Sequence, residues 1–217
     1  MNINFSASAA LVCVMTLFDS IERQSISALR REAAACTRCP LYKHATQTVF
    51  GEGPIDAPVI FVGEQPGDQE DLQGHPFVGP AGRELDQALE AAGLDRDKVY
   101  VTNVVKHFKN EPRGKRRLHK KPNRYEVERC RWWLDQEIAA VQPRLILALG
   151  VTAANLLSGK SIVLSRMRGR VVELVDGHRM MATTHPSAIL RMPDQPSRHK
   201  ARAALIKDIK AAMKAAA

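Results

Sequence analysis

Short apolar runs alternate with helix-like patterns along most of the chain. The apolar runs are rich in Val, Ile and Leu, which predicts buried strands, and the segments between them carry apolar residues at helical spacing. This alternation predicts an α/β fold, a three-layer α/β/α sandwich around a central, mainly parallel four-stranded sheet. The predicted strands are 59–62, 99–105, 145–149 and 180–184, and the predicted helices are 25–35, 81–92, 126–141, 150–157 and 197–216.

The chain of 217 residues is long enough for one domain with its own core. Its 45% apolar and 25% charged residues are ordinary for a globular protein, which excludes wholesale disorder. We assign residues 25–217 to that domain and residues 1–24 to a poorly ordered N-terminal extension. The apolar stretch 9–18 follows no basic segment and is too short to span a bilayer. We therefore interpret it as a weak, uncleaved leader and expect no membrane partner.

The carboxyl ends of the predicted strands carry side chains suited to chemistry. Glu64 and Asp68 follow the first strand, Asn103 lies at the end of the second, and His185 and Ser187 follow the fourth. Ligands of parallel sheets bind beyond these ends. Each side chain alone could be a cap or turn residue, as Glu64 and Asp68 would be at a helix N-terminus. Together, a carboxylate, an amide and an imidazole at one sheet edge indicate a functional site.

The charge distribution favours a polyanionic partner. The chain has 32 Lys and Arg against 23 Asp and Glu, a formal net charge of +9. Half of the sixteen residues 106–121 are Lys or Arg, and His119 lies among them. We interpret this segment as a flexible basic loop over the site that binds the backbone of a nucleic acid. A basic C-terminal helix would extend this surface through Arg198, Lys200, Arg202, Lys207 and Lys210.

The cysteines indicate a metal site rather than disulfides. Nothing else in the sequence points to secretion, so we expect a reducing compartment and a cytoplasmic, nucleoid-associated protein. The pair Cys36 and Cys39 follows a helix-like stretch instead of a strand, which favours half of a metal site over a redox pair. Cys130 and His107 are candidates for the other ligands, although His107 could instead be a hydrogen-bonded residue at a strand end. Such a set suits either zinc or an iron–sulfur cluster, and both stay open.

Several short motifs resemble those of the family-4 uracil-DNA glycosylases. They are Gly63-Glu-Gln-Pro-Gly67, His75-Pro-Phe-Val-Gly79, Thr102-Asn-Val-Val105 and His185-Pro-Ser187. The inserted Lys115-Arg-Arg-Leu-His119 resembles the loop of the UdgX subgroup, which forms a covalent adduct with uracil-containing DNA. Leu118 stands where that subgroup commonly has isoleucine. The resemblance extends from about residue 35 to the C-terminus and leaves the residues before about 25 outside it.

The resemblance implies a metal cluster and a DNA partner. In family 4, four cysteines hold a 4Fe–4S cluster, and in the UdgX subgroup a histidine ligand stands at the position of the third cysteine. The resemblance therefore implies a 4Fe–4S cluster, with zinc the less favoured alternative. Cys13 has no counterpart among these ligands. The partner that it implies is uracil-containing DNA, which we expect to be single-stranded. The implied cluster ligands are Cys36, Cys39, His107 and Cys130.

The resemblance also implies roles in a reaction. Asn103 would pair with O4 and N3–H of a uracil flipped out of the strand, and Phe77 would stack on that base. His185 would hydrogen-bond the leaving base and disperse its negative charge. His119 would attack the deoxyribose C1′ and stay bonded to it, while Glu64 accepts a proton or holds the imidazole. The further implied contacts with the substrate are Gln65, Gly67, Asp68, Arg117 and Ser187.

Two other functions stay open at this point. The chain could be an ordinary family-4 hydrolase that turns over, in which His119 only contacts DNA. It could instead be a non-catalytic DNA-binding module that contains zinc or an iron–sulfur cluster. In each case we expect a monomer.

Overall fold

The computed structural model describes residues 25–114 and 116–217. The predicted N-terminal extension 1–24, with Cys13, lies outside the described residues. The strands are β1 (Val59–Gly63), β2 (Tyr100–Asn103), β3 (Asn110–Arg113), β4 (Arg116–His119), β5 (Leu145–Leu149), β6 (Val171–Glu173) and β7 (Arg179–Thr183). The α-helices are α1 (Ile26–Ala34), α2 (Asp68–Gln73), α3 (Pro80–Ala92), α4 (Arg124–Val141), α5 (Val151–Ser158), α6 (Leu164–Met167), α7 (Pro186–Leu190) and α8 (Gln195–Ala216).

The predicted α/β architecture with a mainly parallel sheet is confirmed, but the sheet has five strands instead of four. The strand order is β2-β1-β5-β7-β6, and the first four strands are parallel. The fifth strand, β6, pairs antiparallel with β7 at the sheet edge. It is three residues long, and Val171 and Glu173 are exposed. It therefore lacks the continuous apolar run by which the other four strands are predicted.

Helices cover both faces of the sheet because strand residues point alternately to either side. Ile60 and Val62 pack with α1, α4 and α5, in the same apolar cluster as Trp133. Val59 and Phe61 pack on the opposite face with α3, α7 and α8. Every residue of β1 and β5 is buried, as expected for parallel strands that are covered on both sides. Across residues 25–114 and 116–217, no helix is both long and apolar enough to cross a membrane.

The basic segment 106–121 is not the flexible loop predicted from its charge, because β3 and β4 form an antiparallel hairpin within it. Part of its charge is paired with carboxylates of the same chain. Arg202 in α8 is also bound internally, with hydrogen bonds of 2.6 and 2.7 Å to the two oxygens of the buried Glu84 carboxylate. A count of Lys and Arg in the sequence therefore overestimates the number of cations that are free to bind a partner. The internally paired cations of the segment include Lys106 with Glu137, Lys109 with Glu126 and Lys120 with Glu111.

A fully buried ion pair joins α4 to the end of β2. The Lys106 ammonium lies 2.5 Å from Glu137 Oε2, and both side chains are 0% exposed. The ammonium also donates to Thr102 Oγ1 at 2.6 Å and to the Asn103 carbonyl oxygen at 2.7 Å. Glu137 Oε1 accepts a hydrogen bond of 2.7 Å from the Gly51 backbone N–H. Removing either charge would leave the other without a partner in the interior.

We expect Lys106→Met to lower the free energy of unfolding by about 3–5 kcal/mol, because Glu137 then remains buried without its cation. The double variant K106M/E137L removes both charges and should recover most of that loss. Urea denaturation followed by circular dichroism measures both variants. Lys160→Met, at an exposed position, is the matched control and should change the free energy by less than about 0.5 kcal/mol. Equal losses in the single and double variants would contradict this explanation.

Candidate active site

A cavity of about 600 Å³ opens where the carboxyl ends of β1, β2, β5 and β7 meet. This is the sheet edge at which parallel α/β folds bind ligands. The cavity combines charged, amide and imidazole groups with an aromatic ring. Eight residues singled out from the sequence line it: Glu64, Gln65, Gly67, Phe77, Asn103, His119, His185 and Ser187.

An aromatic ring and an amide lie side by side in the cavity because Gly63 has no side chain. A Cβ on Gly63 would lie 2.3 Å from Asn103 Oδ1 and 2.9 Å from Phe77 Cζ. Phe77 has a φ of 57°, which is unfavourable for a residue with a bulky side chain. Gly82 makes this backbone conformation possible, since a Cβ there would lie 1.7 Å from the Phe77 carbonyl oxygen. The buried Asn103 amide forms no hydrogen bond with any other described residue.

Gln65 fixes the His119 ring in one tautomer. The Lys109 backbone N–H donates to Gln65 Oε1 at 2.9 Å, and Gln65 Nε2 donates to the Lys120 carbonyl oxygen at 2.7 Å. These two backbone groups set the orientation of the amide. Gln65 Nε2 also lies 2.8 Å from His119 Nε2. Because an amide nitrogen only donates, His119 Nε2 accepts and the ring proton is on Nδ1.

His185 is held in the opposite tautomer. It is the N-cap residue of α7, and its Nδ1 accepts a hydrogen bond of 3.1 Å from the Ser187 backbone N–H. The Ser187 hydroxyl lies 2.8 Å from the same nitrogen. Since the backbone N–H only donates, the proton of the neutral ring is on Nε2. Burial, together with the nearby charge of Arg191, lowers the pKa of His185 to about 4, so the ring is neutral near pH 7.

A carboxylate with an unused oxygen lies in the same cavity. Within the described part of the chain, Glu64 Oε1 is buried and has no hydrogen-bond partner. An unpaired buried acceptor is unfavourable in free energy and is typical of a site that binds a ligand. Burial lowers the pKa of His119, whereas the Glu64 charge raises it and the Arg191 charge lowers it. The carboxylate and the imidazole are therefore close enough to interact electrostatically.

Arg117 attaches the hairpin to α2. Its Nε lies 2.7 Å from Asp68 Oδ1, and its Nη1 lies 2.5 Å from Asp71 Oδ2. The guanidinium carbon also lies 5.4 Å from the centre of the Phe108 ring, which is 6.0 Å from the His119 ring. These contacts fix the position of His119 above the cavity. Arg117 and Asp68, which the sequence suggested as contacts with DNA, bind each other in this structure.

The four predicted metal ligands lie apart from the cavity and are all buried. Two of the thiols accept hydrogen bonds from N–H groups. The Trp133 indole Nε1–H donates to Cys36 Sγ at 3.1 Å, and the Lys106 backbone N–H donates to Cys130 Sγ at 3.1 Å. Such bonds stabilise a sulfur atom that carries negative charge. The four buried residues are Cys36, Cys39, His107 and Cys130.

The chemistry of these four residues fits a bound metal, either zinc or an iron–sulfur cluster. His107 Nδ1 is buried and has no hydrogen-bond partner among the described residues, and burial lowers the pKa of His107 to about 4. The ring is therefore neutral and has a lone pair for a metal. Burial raises the pKa of Cys130 to about 12, so binding a metal would release its proton. Over residues 25–114 and 116–217, no three His, Cys, Asp or Glu side chains are arranged around a single ion.

Sequence reasoning missed three residues that support or complete the site. Glu70 accepts hydrogen bonds from the backbone N–H groups of Gly79 and Gly67 at 2.8 and 3.1 Å. Its position three residues after the N-cap of α2 is a signal that could have identified it. Phe108 and Arg191 carry no comparable signal, because their roles depend on contacts between distant parts of the chain.

Comparisons with known proteins identify related chains. The model of the uracil DNA glycosylase superfamily matches residues 50–210. The type-4 uracil-DNA glycosylase of Thermotoga maritima is 39% identical over 157 residues, which cover 72% of this chain and 78% of the relative. The type-4 enzyme of Archaeoglobus fulgidus is 38% identical over 177 residues, with 78% and 85% covered. That of Pyrobaculum aerophilum is 39% identical over 165 residues, with 73% and 81% covered.

We expect the His185 ring to stay neutral until the pH falls to about 4, because burial holds its pKa near that value. An unfolded histidine titrates near pH 6.5, so the native state binds fewer protons than the unfolded state between these limits. The contribution of His185 to stability is therefore present above about pH 6.5 and is lost as the pH falls toward 4. NMR titration of the ring protons measures the pKa. A midpoint near 6.5 would contradict the buried neutral ring.

Urea denaturation across this pH range gives the corresponding change in stability. His185→Asn should flatten the dependence of the free energy of unfolding on pH between about 6.5 and 4. His199→Asn, at an exposed position of α8, is the matched control.

Proposed function

This chain belongs to the uracil-DNA glycosylase superfamily, and we propose that it excises uracil from DNA and then bonds the deoxyribose C1′ to His119. Relatives named type-4 uracil-DNA glycosylases support the excision step. The capture step rests on where the hairpin holds His119 relative to the cavity.

The base would be recognised by one amide and one aromatic ring. A glycosylase acts on a base that has left the stack, because the bond to be broken is unreachable inside a duplex. The Asn103 amide offers a donor for uracil O4 and an acceptor for uracil N3–H, a pattern that cytosine does not match. Phe77 lies beside this amide and offers a face for stacking. The adjacent pair therefore suits a single flipped pyrimidine.

His185 would stabilise the leaving group. When the C1′–N1 bond breaks, its electron pair departs with uracil and leaves negative charge on the base. The neutral ring of His185 has its proton on Nε2, so it can donate a hydrogen bond to a carbonyl oxygen of that base. Glu64, on the same cavity, would favour the positive charge that develops on the sugar.

His119 would then capture the sugar. Its Nε2 lone pair, on leaving Gln65, forms the bond to C1′, and the ring becomes positively charged. The Nδ1 proton passes to Glu64 or to water, and the uracil anion takes up a proton from solvent. The resulting N–C1′ bond has no good leaving group, so each molecule would react once. The observation that carries this step is the unprotonated Nε2 of His119, held at the cavity by Gln65.

The exposed cations of the hairpin would bind the DNA strand. Arg113 and Arg116 at the hairpin tip and Lys121 after it are exposed, and none of them pairs with an acidic side chain of the described residues, unlike Lys106, Lys109 and Lys120. Single-stranded DNA is the favoured substrate because a base outside a duplex is flipped with the smallest loss of stacking and pairing.

We further propose that the buried Cys36, Cys39, His107 and Cys130 hold a 4Fe–4S cluster. When bound, this group would supply a covalent cross-link between the segment before β1, the end of β2 and α4. The residues of the cavity would carry out the reaction.

We expect His119→Ser to abolish the covalent adduct and to restore multiple turnovers, because water can then attack the sugar in place of the imidazole. Wild-type protein incubated with a uracil-containing single strand should give a shifted, heat-stable band on a denaturing gel and the summed mass by mass spectrometry. His199→Ser, at an exposed position of α8, is the control and should still form the adduct.

Two outcomes would overturn the capture step. Wild-type protein that releases abasic product over many turnovers would be an ordinary hydrolase. An unchanged adduct yield in the His119→Ser variant would assign the bond to another residue.

We expect protein purified without oxygen to show the broad visible absorbance of an iron–sulfur protein, with about four iron atoms per chain. Cys130→Ala should lose this absorbance and most of the iron, while Cys13→Ala should keep both. Elemental analysis and visible spectroscopy measure the two quantities. One zinc atom per chain without visible absorbance would contradict the cluster and support the zinc alternative.

A further inference from the structure

Arg191 is the one Lys or Arg among the described residues that line the cavity. Its side chain is exposed. Arg117 and Arg202 are both bound to acidic side chains. The Arg191 guanidinium, by contrast, has no acidic or carbonyl partner within residues 25–114 and 116–217. An exposed, unpaired guanidinium at the mouth of a cavity is available to an anionic ligand.

The fold holds Arg191 in a fixed position relative to His185. The short helix α7 has His185 as its N-cap and Arg191 as its C-cap, and the Arg191 backbone N–H donates to the Ala188 carbonyl oxygen at 3.3 Å. Ile189 is 1% exposed and belongs to the apolar cluster of α3 and α8. The helix is therefore anchored to the core. Its two ends place an imidazole and a guanidinium at the same cavity.

We propose that Arg191 binds a phosphodiester of the strand next to the flipped deoxyuridine. The base enters the cavity, but the phosphates on either side of it stay with the strand at the mouth, where Arg191 is exposed. A guanidinium forms two parallel hydrogen bonds with phosphate oxygens, which fixes position as well as adding affinity. Arg191 would thus set how far the nucleotide enters. This inference rests on the proposed excision of uracil and not on the capture step.

The test measures equilibrium binding to a single strand that contains 2′-fluoro-deoxyuridine, whose fluorine suppresses loss of the base. Fluorescence anisotropy at several KCl concentrations gives the affinity and its salt dependence. We expect Arg191→Gln to weaken binding about tenfold and to reduce the slope of log K against log salt by about 0.7, the value for one phosphate contact with a single strand.

Two variants serve as controls. Arg191→Lys keeps the charge and should keep the slope. Lys214→Gln removes an exposed charge near the C-terminal end of α8, where the Ala216 carbonyl oxygen accepts a hydrogen bond from Arg144 just before β5, and should change neither quantity.

Single-turnover release of uracil from a normal strand separates binding from chemistry. Arg191→Gln should raise the protein concentration for half-maximal rate while the maximal rate stays within about threefold. An unchanged salt slope, or a loss confined to the maximal rate, would overturn the phosphate contact. If wild-type protein releases no uracil, the proposed function fails, while the salt slope still decides the role of Arg191.

Discussion

The buried ion pair of Lys106 and Glu137 supports both the cavity and one of the predicted metal ligands. Neither charge has water around it, so each depends on the other and on the hydrogen bonds of their neighbours. The ammonium holds the Asn103 carbonyl group at the cavity, while the backbone N–H of the same lysine donates to Cys130 in the proposed cluster site. The end of β2 that carries Asn103 and the predicted metal ligand Cys130 therefore share one support. A shift of α4 relative to β2 would disturb both at once.

The two histidines of the cavity, His119 and His185, differ in which ring nitrogen carries the proton. Each is neutral and each has one nitrogen engaged by a group that only donates, but the engaged nitrogens differ. His119 keeps an unprotonated Nε2, whereas His185 keeps a proton on Nε2. The difference comes from local structure, a glutamine oriented by backbone groups in one case and the first turn of α7 in the other. No change of protonation is needed before the substrate binds.

The sequence predicts those features that depend on neighbouring residues. Four strands and the polar residues at their ends follow from apolar runs and from the rule that parallel strands end at one edge. The features that the sequence does not predict depend on residues far apart in the chain. Arg117 and Asp68 are 49 positions apart, so a local basic pattern could not reveal that they are paired. The pairing of Arg202 with Glu84 and the tautomers of the histidines were hidden for the same reason.

The left-handed backbone of Phe77 is strained, and the packing of its ring outweighs that strain. A bulky residue in the left-handed region is strained by about 1–3 kcal/mol. Asparagine or glycine would adopt that conformation with less strain. Either residue would also remove the ring beside Asn103. Because the ring is 6% exposed and belongs to the apolar cluster of α3 and α8, losing it costs about 3–5 kcal/mol, more than the strain relieved. Selection for heat resistance alone would therefore retain Phe77, and with it the proposed base binding.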